Sequence, residues 1–327
     1  MQINKKVFIS GITGQDGVFL TKHLLSKGGY EILGTSRNID NKDFYQKLEY
    51  LYLPSDKLKN LKVVKANLLN SIETHNLLNS FSADYIYNFS GPSSVYKSFQ
   101  NPKKTKFEIL KIFSNLIQAI KSSKIKTTLF QASSSEIFGK MEEGGLHEES
   151  KVSPISPYGE AKAEIHKNLN YIREDFGINI INGIMFNHES EFRSNEYLFM
   201  KIINSAIQIK FKNSKNLELG SLKIERDWSY SNDLINGINL ITENFTNENF
   251  VLGSGLSTSI KDIVNFVFNW FELDYKEFIK IDKSLLRPSE PLIKYSKPKK
   301  ISDLINWRTT TLIEEVLEKN IKYLLTK

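Results

Sequence analysis

The opening thirty residues set Lys6-Val7-Phe8-Ile9-Ser10, a short β-rich run, against Gly11-Ile12-Thr13-Gly14-Gln15-Asp16-Gly17. Val18, Phe19, Leu20, Leu24 and Leu25 follow at helical spacing. Strand, glycine turn and helix in that order constrain the fold more than any other feature of the chain. Gly11 permits a tight turn, Gly14 lets backbone approach a pyrophosphate, and Gly17 lets helix and strand pack closely. The helix N-terminus then faces the phosphate. A glycine-rich turn in another α/β protein would share the spacing; the flanking strand and helix favour the dinucleotide reading. Gly11, Thr13, Gly14, Gln15, Asp16 and Gly17 are the first cofactor-binding residues to expect.

The first half of the chain repeats this alternation. Tyr30–Ser36, Leu61–Ala66, Asp84–Phe89 and Lys126–Ala132 read as strands two to five, and Asn179–Phe186 as a later one. Phe107–Lys121 between them carries Ile109, Ile112, Phe113, Leu116, Ile117 and Ile120 on one helical stripe. Alternation of this kind predicts an α/β fold, a doubly wound parallel sheet with helices on both faces. After about Phe186 the pattern loosens into polar loops and short helices, which predicts a smaller, mostly C-terminal substrate lobe. The dinucleotide-binding domain is expected over 1–186 plus about 227–256. The lobe takes about 187–226 and 257–327.

A second constellation supplies chemistry. Tyr158-Gly159-Glu160-Ala161-Lys162 puts a phenol and an ammonium one turn apart on a helix face. The ammonium favours the ionised phenol, whose pKa is otherwise near 10. Ser134, at the end of strand five, can hydrogen-bond the same reacting oxygen, and Glu136 adds a second proton-transfer group. Such a set removes a proton from a sugar hydroxyl while a neighbouring cofactor takes the hydride. On a solvated helix face a Tyr-Lys pair has no function, and the glycine turn is what raises this one above that reading.

Among 327 residues there are no cysteines, which excludes disulfides and thiolate metal sites, and no metal ligand set is assigned. No apolar run approaches the roughly 18 residues of a membrane helix, and no signal-peptide pattern opens the chain. A cytoplasmic enzyme with no nucleic-acid or membrane partner is therefore expected. The net charge of +7 comes from scattered lysines, read as solvated faces that also suit an anionic nucleotide-sugar. At the end of strand two, Ser36, Arg37 and Asn38 stand where an acid would bind a ribose 2′-hydroxyl. Arg37 can pair with a 2′-phosphate, so NADP is favoured over NAD, although Asp40 follows closely.

These features together resemble the extended short-chain dehydrogenase/reductases, and within them the GDP-mannose 4,6-dehydratases. The resemblance rests on five segments: Gly11–Gly17, Ser133-Ser134-Ser135-Glu136-Ile137-Phe138-Gly139, Phe186-Asn187-His188-Glu189-Ser190, Arg226-Asp227-Trp228 and Arg287-Pro288-Ser289-Glu290. It implies an NADP-dependent hydro-lyase that converts a GDP-sugar to its 4-keto-6-deoxy form by internal hydride transfer and loss of water. Tyr158 would be the base for the 4-hydroxyl, with Lys162 holding the nicotinamide ribose and Ser134 bonding the same oxygen. Glu136 would take the C5 proton and help expel the C6 hydroxyl. Asn67 and Leu68 would lie near the adenine, and Ser93 would border the sugar. Asn187, Lys201, Arg226, Arg287 and Glu290 would bind the nucleotide diphosphate. The bland alternative for Arg226-Asp227 is a structural ion pair. His188 is read as a polar loop residue and Trp228 as packing.

Departures from the family pattern leave alternatives open. Ser94 stands where mannose dehydratases carry a His, as in a subgroup that includes GDP-mannoheptose 4,6-dehydratases. Asn67 replaces the usual Asp. Glu191-Phe192-Arg193-Ser194-Asn195 replaces a segment that builds tetramers in relatives, so a homo-oligomer is expected as dimer or tetramer. The alternatives are a nucleotide-sugar epimerase or decarboxylase with the same Tyr-Lys pair and, more distantly, a non-catalytic NADP-binding protein.

Overall fold

The computed structural model describes residues 5–38, 40–124, 126–212, 216–288 and 290–326. Contacts divide the chain into two compact units. One comprises Met1–Gly139, Lys151–Met185 and Ile235–Leu252; the other Lys140–Ser150, Phe186–Leu234 and Gly253–Lys327.

The first unit begins β1 (Lys5–Ser10), α1 (Gln15–Lys27), β2 (Tyr30–Ser36), α2 (Lys42–Tyr50), β3 (Leu61–Lys65) and α3 (Ser71–Phe81). It continues with β4 (Tyr85–Asn88), α4 (Val95–Gln100), α5 (Pro102–Ser123), β5 (Thr128–Ser134), α6 (Pro157–Phe176) and β6 (Asn179–Met185). The expected strand-helix alternation is present. A seventh strand, Asn249–Leu252, pairs with β6, giving the order Asn249–Leu252, β6, β5, β4, β1, β2, β3, and every pairing is parallel. The order reverses direction between β1 and β4, so the crevice beyond their carboxyl ends is where such a sheet binds ligands.

One sheet face carries Phe8, Leu33, Ile86, Leu129 and Ile180, packed with the inner stripes of α3, α5 and α6 in one buried cluster. The Ile109–Ile120 stripe read from the sequence is buried in that cluster. Helix α6, which bears Tyr158 and Lys162, is fixed at both ends. Ser156 caps its start by accepting from Gly159 N at 3.0 Å, with Pro157 at the first helical position. Near its end the buried Arg173 donates to Ile180 O at 2.9 Å, Glu248 O at 3.0 Å and Asn249 Oδ1 at 3.0 Å.

In the second unit lie β7 (Asn187–Glu189), α7 (Leu198–Lys212), β8 (Leu217–Leu219), β9 (Glu225–Arg226) and β10 (Trp228–Tyr230). Its strands form small ladders: β7 pairs with β10, while β9 pairs with Thr258–Ser259 and with Ile293–Lys294. Short helices are present, as at Tyr275–Phe278 and Lys299–Ile305, but longer ones join them. α7 has 15 residues, and Ile260–Trp270 and Ile313–Leu325 have 11 and 13. Among the described residues, no helix is long and apolar enough to cross a membrane.

Candidate active site

The glycine turn lies at the point where the sheet reverses. Gly11 has φ +73°, and a Cβ there would sit 3.1 Å from the Phe89 carbonyl carbon and oxygen and from Ser90 N, the backbone leaving β4. Only glycine takes that conformation cheaply. A Cβ on Gly17 would lie 2.4 Å from Ile12 O, which is backbone and cannot yield. Gly34 on β2 makes room for the Ile12 side chain: a Cβ there would lie 2.1 Å from Ile12 Cδ1 and 2.9 Å from Ile12 Cβ. Ile12 is thus clamped between α1 and β2, and Ile12 N bonds Thr35 O at 3.2 Å. Gly14, exposed, is the N-cap of α1 and makes no side-chain cap, so the first-turn N–H groups are not consumed by one. The glycines fit a dinucleotide pyrophosphate at this helix end.

Other expected cofactor residues follow the carboxyl ends of β1, β2 and β3. Thr13 Oγ1 lies 3.5 Å from Ser36 Oγ, Gln15 is buried, and Arg37 is exposed at the end of β2. Asp40 accepts from Lys42 N at 2.9 Å, and so is engaged in the entry to α2. Asn67 N donates to Glu73 Oε2 at 3.2 Å, while the buried Leu68 offers its carbonyl to Asn115 Nδ2 at 2.8 Å.

Beyond β5 the chain makes a single 3-10 turn, Ser135–Ile137. Ser134 is both the last residue of β5 and the cap of that turn, accepting from Glu136 N at 3.2 Å. α6 is brought against the same turn by Gly159, where a Cβ would lie 2.3 Å from Glu136 O. The glycine between Tyr158 and Glu160 is therefore what lets the Tyr-Lys helix reach the Ser-Glu turn. Tyr158 and Lys162 are each 8% exposed, and the Lys162 ammonium lies 5.7 Å from the Tyr158 ring centroid. Lys162 Nζ donates to Ala132 O at 2.7 Å, which ties the lysine to β5 two residues before Ser134. Two pairs distant in sequence, Ser134 with Glu136 and Tyr158 with Lys162, thus meet at one backbone corner.

Burial pushes the Lys162 ammonium down from the ordinary lysine value to about 8. The unfolded chain holds its proton up to about 10.4, so between these values unfolding takes up a proton and stability rises with pH. The burial penalty is full below pH 8 and vanishes as the pH climbs past the unfolded value. Lys162→Met should therefore stabilise the protein by about 2 kcal/mol at pH 7, a discount on the full shift, and by almost nothing at pH 10.5. Denaturant melts at both pH values measure this. An equal gain at both would assign the effect to packing.

In the second unit the expected anion-binding residues divide into two groups. Arg226, Arg287 and Glu290 come together. Arg226 Nη2 pairs with Glu290 Oε1, Arg287 Nε pairs with Glu290 Oε2, and Arg287 Nη2 donates to Glu290 Oε1 at 2.6 Å. Arg226 and Glu290 are almost fully buried, whereas the Arg287 side chain is 27% exposed. Ser289 lies outside the described residues. Lys201 instead donates to Glu218 O at 2.9 Å, and Asn187 stands opposite Trp228 in the β7–β10 ladder. Ser93 is in the first unit, exposed in the loop after β4.

The Arg226-Asp227 ion-pair alternative is corrected, because Arg226 takes Glu290 as its carboxylate. Asp227, 1% exposed, accepts instead from Ser254 N at 2.9 Å, Ser254 Oγ at 2.6 Å, Gly255 N at 3.0 Å and Ser296 N at 3.1 Å. It anchors the loops beside the triad. His188 lies in strand β7, with Nδ1 bonded to Phe186 O at 2.8 Å, and Trp228 packs on Phe199 with ring centroids 5.7 Å apart. The sequence assigns no role to Gly34, Gly159 or Asp227. Gly159 and Asp227 lie inside quoted motifs, but what each does is set by the neighbour it meets.

A seven-stranded parallel sheet with a glycine turn at its reversal point, and a Tyr-Lys stripe docked on β5, defines an extended short-chain dehydrogenase/reductase. Solved structures agree on the fold. A dTDP-glucose 4,6-dehydratase from Streptomyces venezuelae with NAD bound superposes with TM-score 0.86 at 17% identity, over 98% of this chain and 97% of that one. UDP-glucuronic acid 4-epimerase from Bacillus cereus gives 0.85 at 21%, over 98% and 99%. In sequence the chain is 29% identical to GDP-mannose 4,6 dehydratase 1 of Arabidopsis thaliana, over 96% of this chain and 88% of that protein. It is 33% identical to GDP-mannose 4,6-dehydratase of Vibrio cholerae, over 80% and 71%. The family model for GDP-mannose 4,6 dehydratase matches residues 8–320. The chain belongs to the GDP-mannose 4,6-dehydratase family, whose members are hydro-lyases.

Proposed function

We propose that this enzyme is an NADP-dependent GDP-sugar 4,6-dehydratase acting on GDP-mannose. The observation that carries the reading is the docking of the Tyr158-Lys162 helix onto the Ser134-Glu136 turn in a chain that matches the family over residues 8–320. When bound, the nicotinamide dinucleotide supplies a reversible two-electron acceptor. Gly11 and Gly17 shape the turn and Gly14 would let its backbone approach the pyrophosphate, with Thr13, Gln15 and Asp16 around the same turn; Asn67 and Leu68 would hold the adenine end. Arg37, exposed where an acid would repel a 2′-phosphate, supports NADP, as does the engagement of Asp40 with Lys42 N.

Tyr158 accepts the proton of the sugar 4-hydroxyl, with Ser134 Oγ bonded to the same oxygen and the Lys162 ammonium favouring the phenolate. The resulting 4-ketone acidifies C5–H. Glu136 removes that proton and delivers it to the departing C6 hydroxyl, which leaves as water. When C6 is reduced, C5 regains a proton, and the one held by Tyr158 balances it, restoring the 4-ketone and the starting state of both side chains. Arg226 and Arg287 present two guanidiniums to the nucleotide diphosphate, and Glu290 orients both and can accept ribose hydroxyls. Asn187, Lys201 and Ser93 complete the substrate contacts. Ser94 supports a second substrate, GDP-mannoheptose: its side chain caps α4, accepting from Lys97 N at 3.2 Å, in place of a bulkier histidine.

Incubation with each sugar nucleotide and weighing of the product tests the reading. Dehydration lowers the mass by about 18 units and epimerisation not at all, while decarboxylation, by about 44, would need a uronic-acid sugar nucleotide as a further substrate. A product of unchanged mass would assign the site to epimerase chemistry instead.

A further inference from the structure

Five adjacent strands carry a polar residue at one register. Thr35, Ser10, Asn88, Gln131 and Asn182 stand opposite one another in turn across β2, β1, β4, β5 and β6. None is more than 4% exposed. Each sits two residues beyond Leu33, Phe8, Ile86, Leu129 or Ile180, so the row shares a face with the hydrophobic cluster and closes its carboxyl-terminal end. Buried polar groups at such a place need partners, and these have a directed set. Ser10 Oγ donates to Asn88 Oδ1 at 2.8 Å, Asn88 Nδ2 to Gln131 Oε1 at 2.8 Å, and Gln131 Nε2 to Ala132 O at 2.9 Å. Lys162 Nζ donates to that same Ala132 carbonyl at 2.7 Å. One turn further along α6, His166 Nδ1 pairs with Asn182 Nδ2 at 3.1 Å. Tyr158, Lys162 and His166 follow one another at intervals of four on a single helix face, and the latter two are tied to this row or to the carbonyl at its end.

We propose that Gln131 is a positioning residue for Lys162, with Asn88 and Ser10 holding it in turn. The proposal rests on the reading of Tyr158 and Lys162 as the proton-transfer pair. Its physical content lies in the direction of the bonds. The Asn88 oxygen is claimed by Ser10 Oγ and by Ser90 Oγ, each at 2.8 Å, so its amide can only donate toward Gln131. Gln131 must then turn its oxygen to Asn88 and its NH2 to Ala132 O; a flipped amide would set oxygen against oxygen. The Ala132 peptide is thereby held with its carbonyl toward α6, and the ammonium rests on an acceptor that cannot tilt away. An apolar side chain at 131 would keep the packing but release that carbonyl and orphan Asn88 Nδ2.

A double-mutant cycle on the NADP-loaded enzyme separates positioning from mere stability. Gln131→Met should lower kcat about 10-fold, equal to about 1.4 kcal/mol of transition-state stabilisation. KM for GDP-mannose should stay within about twofold of the parent. In a Lys162→Met background the same substitution should change kcat less than about twofold, since the group it positions is gone. NADP+ dissociation constants, from equilibrium titration of cofactor-stripped enzyme, should show the same non-additivity. Equal effects in both backgrounds, with matching losses of Tm, would make Gln131 a structural residue and overturn the proposal. Should Gln131→Met not fold, Ser10→Ala removes only the first hydroxyl of the row, and its effect of about threefold should likewise vanish with Lys162→Met. A parent enzyme inactive on every sugar nucleotide would refute the proposed function alone, because the NADP+ titrations still decide the coupling.

Discussion

Tyr158→Phe should fold like the parent and lose at least about 10³-fold in kcat, at the upper part of the range for a positioned proton-transfer group. The ring is what the fold uses: Tyr158 is 8% exposed and packs within the cluster beneath α5 and α6. Phenylalanine keeps that ring, so Tm should move by no more than about 2 °C for a chain of this size. The hydroxyl is what the chemistry uses. Without it no group accepts the 4-hydroxyl proton in the first oxidation, and all later steps depend on the ketone so formed. KM for GDP-mannose should change little, because the residues proposed to bind the diphosphate lie in the second unit. The decisive measurement is single-turnover absorbance of the reduced nicotinamide after mixing with substrate. No signal should appear with Tyr158→Phe. A signal at the parent rate would remove Tyr158 from the mechanism.

What could be read from the sequence follows from how local each constraint is. The turn Gly11–Gly17 is legible because φ +73° at Gly11 and the 2.4 Å approach of Ile12 O to a Gly17 Cβ are demands of one segment on itself and its neighbours. Strands β2 and β6 are legible because they are apolar runs in a sheet buried on both faces. β5 ends two residues later than its apolar run, since Ser133 and Ser134 still pair with Ile184 and Met185; hydropathy has no view of that register. For the same reason Asn88 and Gln131 each read as the polar end of a strand, and Asn182 as a lone polar residue within one. Only the pairing shows that they form one row. The arginine site was visible only through family resemblance: Arg226 and Glu290 are 64 residues apart and are joined by ladders two residues long, too short for any period.

Glu136→Gln is the complementary experiment, because it should divide the reaction where Tyr158→Phe stops it. Glutamine keeps the size of glutamate, and the backbone contacts of residue 136 do not change. Its N–H still reaches Ser134 Oγ and its carbonyl still lies against Gly159. The amide cannot accept the C5 proton, and it has none to give to a departing hydroxyl. Oxidation at C4 should therefore proceed, and the reduced nicotinamide should accumulate to a plateau instead of appearing only transiently. Release of the 4-keto-6-deoxy product should fall at least about 10³-fold, again the scale of a lost general acid-base group. Two time courses on one sample decide it: absorbance for the first oxidation, and product mass for water loss. A plateau in absorbance, with a sugar about 2 mass units lighter and no further loss of about 18, is the expected pair. If both signals fell together, Glu136 would be needed for binding or for the shape of the Ser134 turn. If product formed at the parent rate, the proton at C5 would have to leave through another group. Ser134, whose hydroxyl already accepts from the Glu136 N–H, would be the first to test.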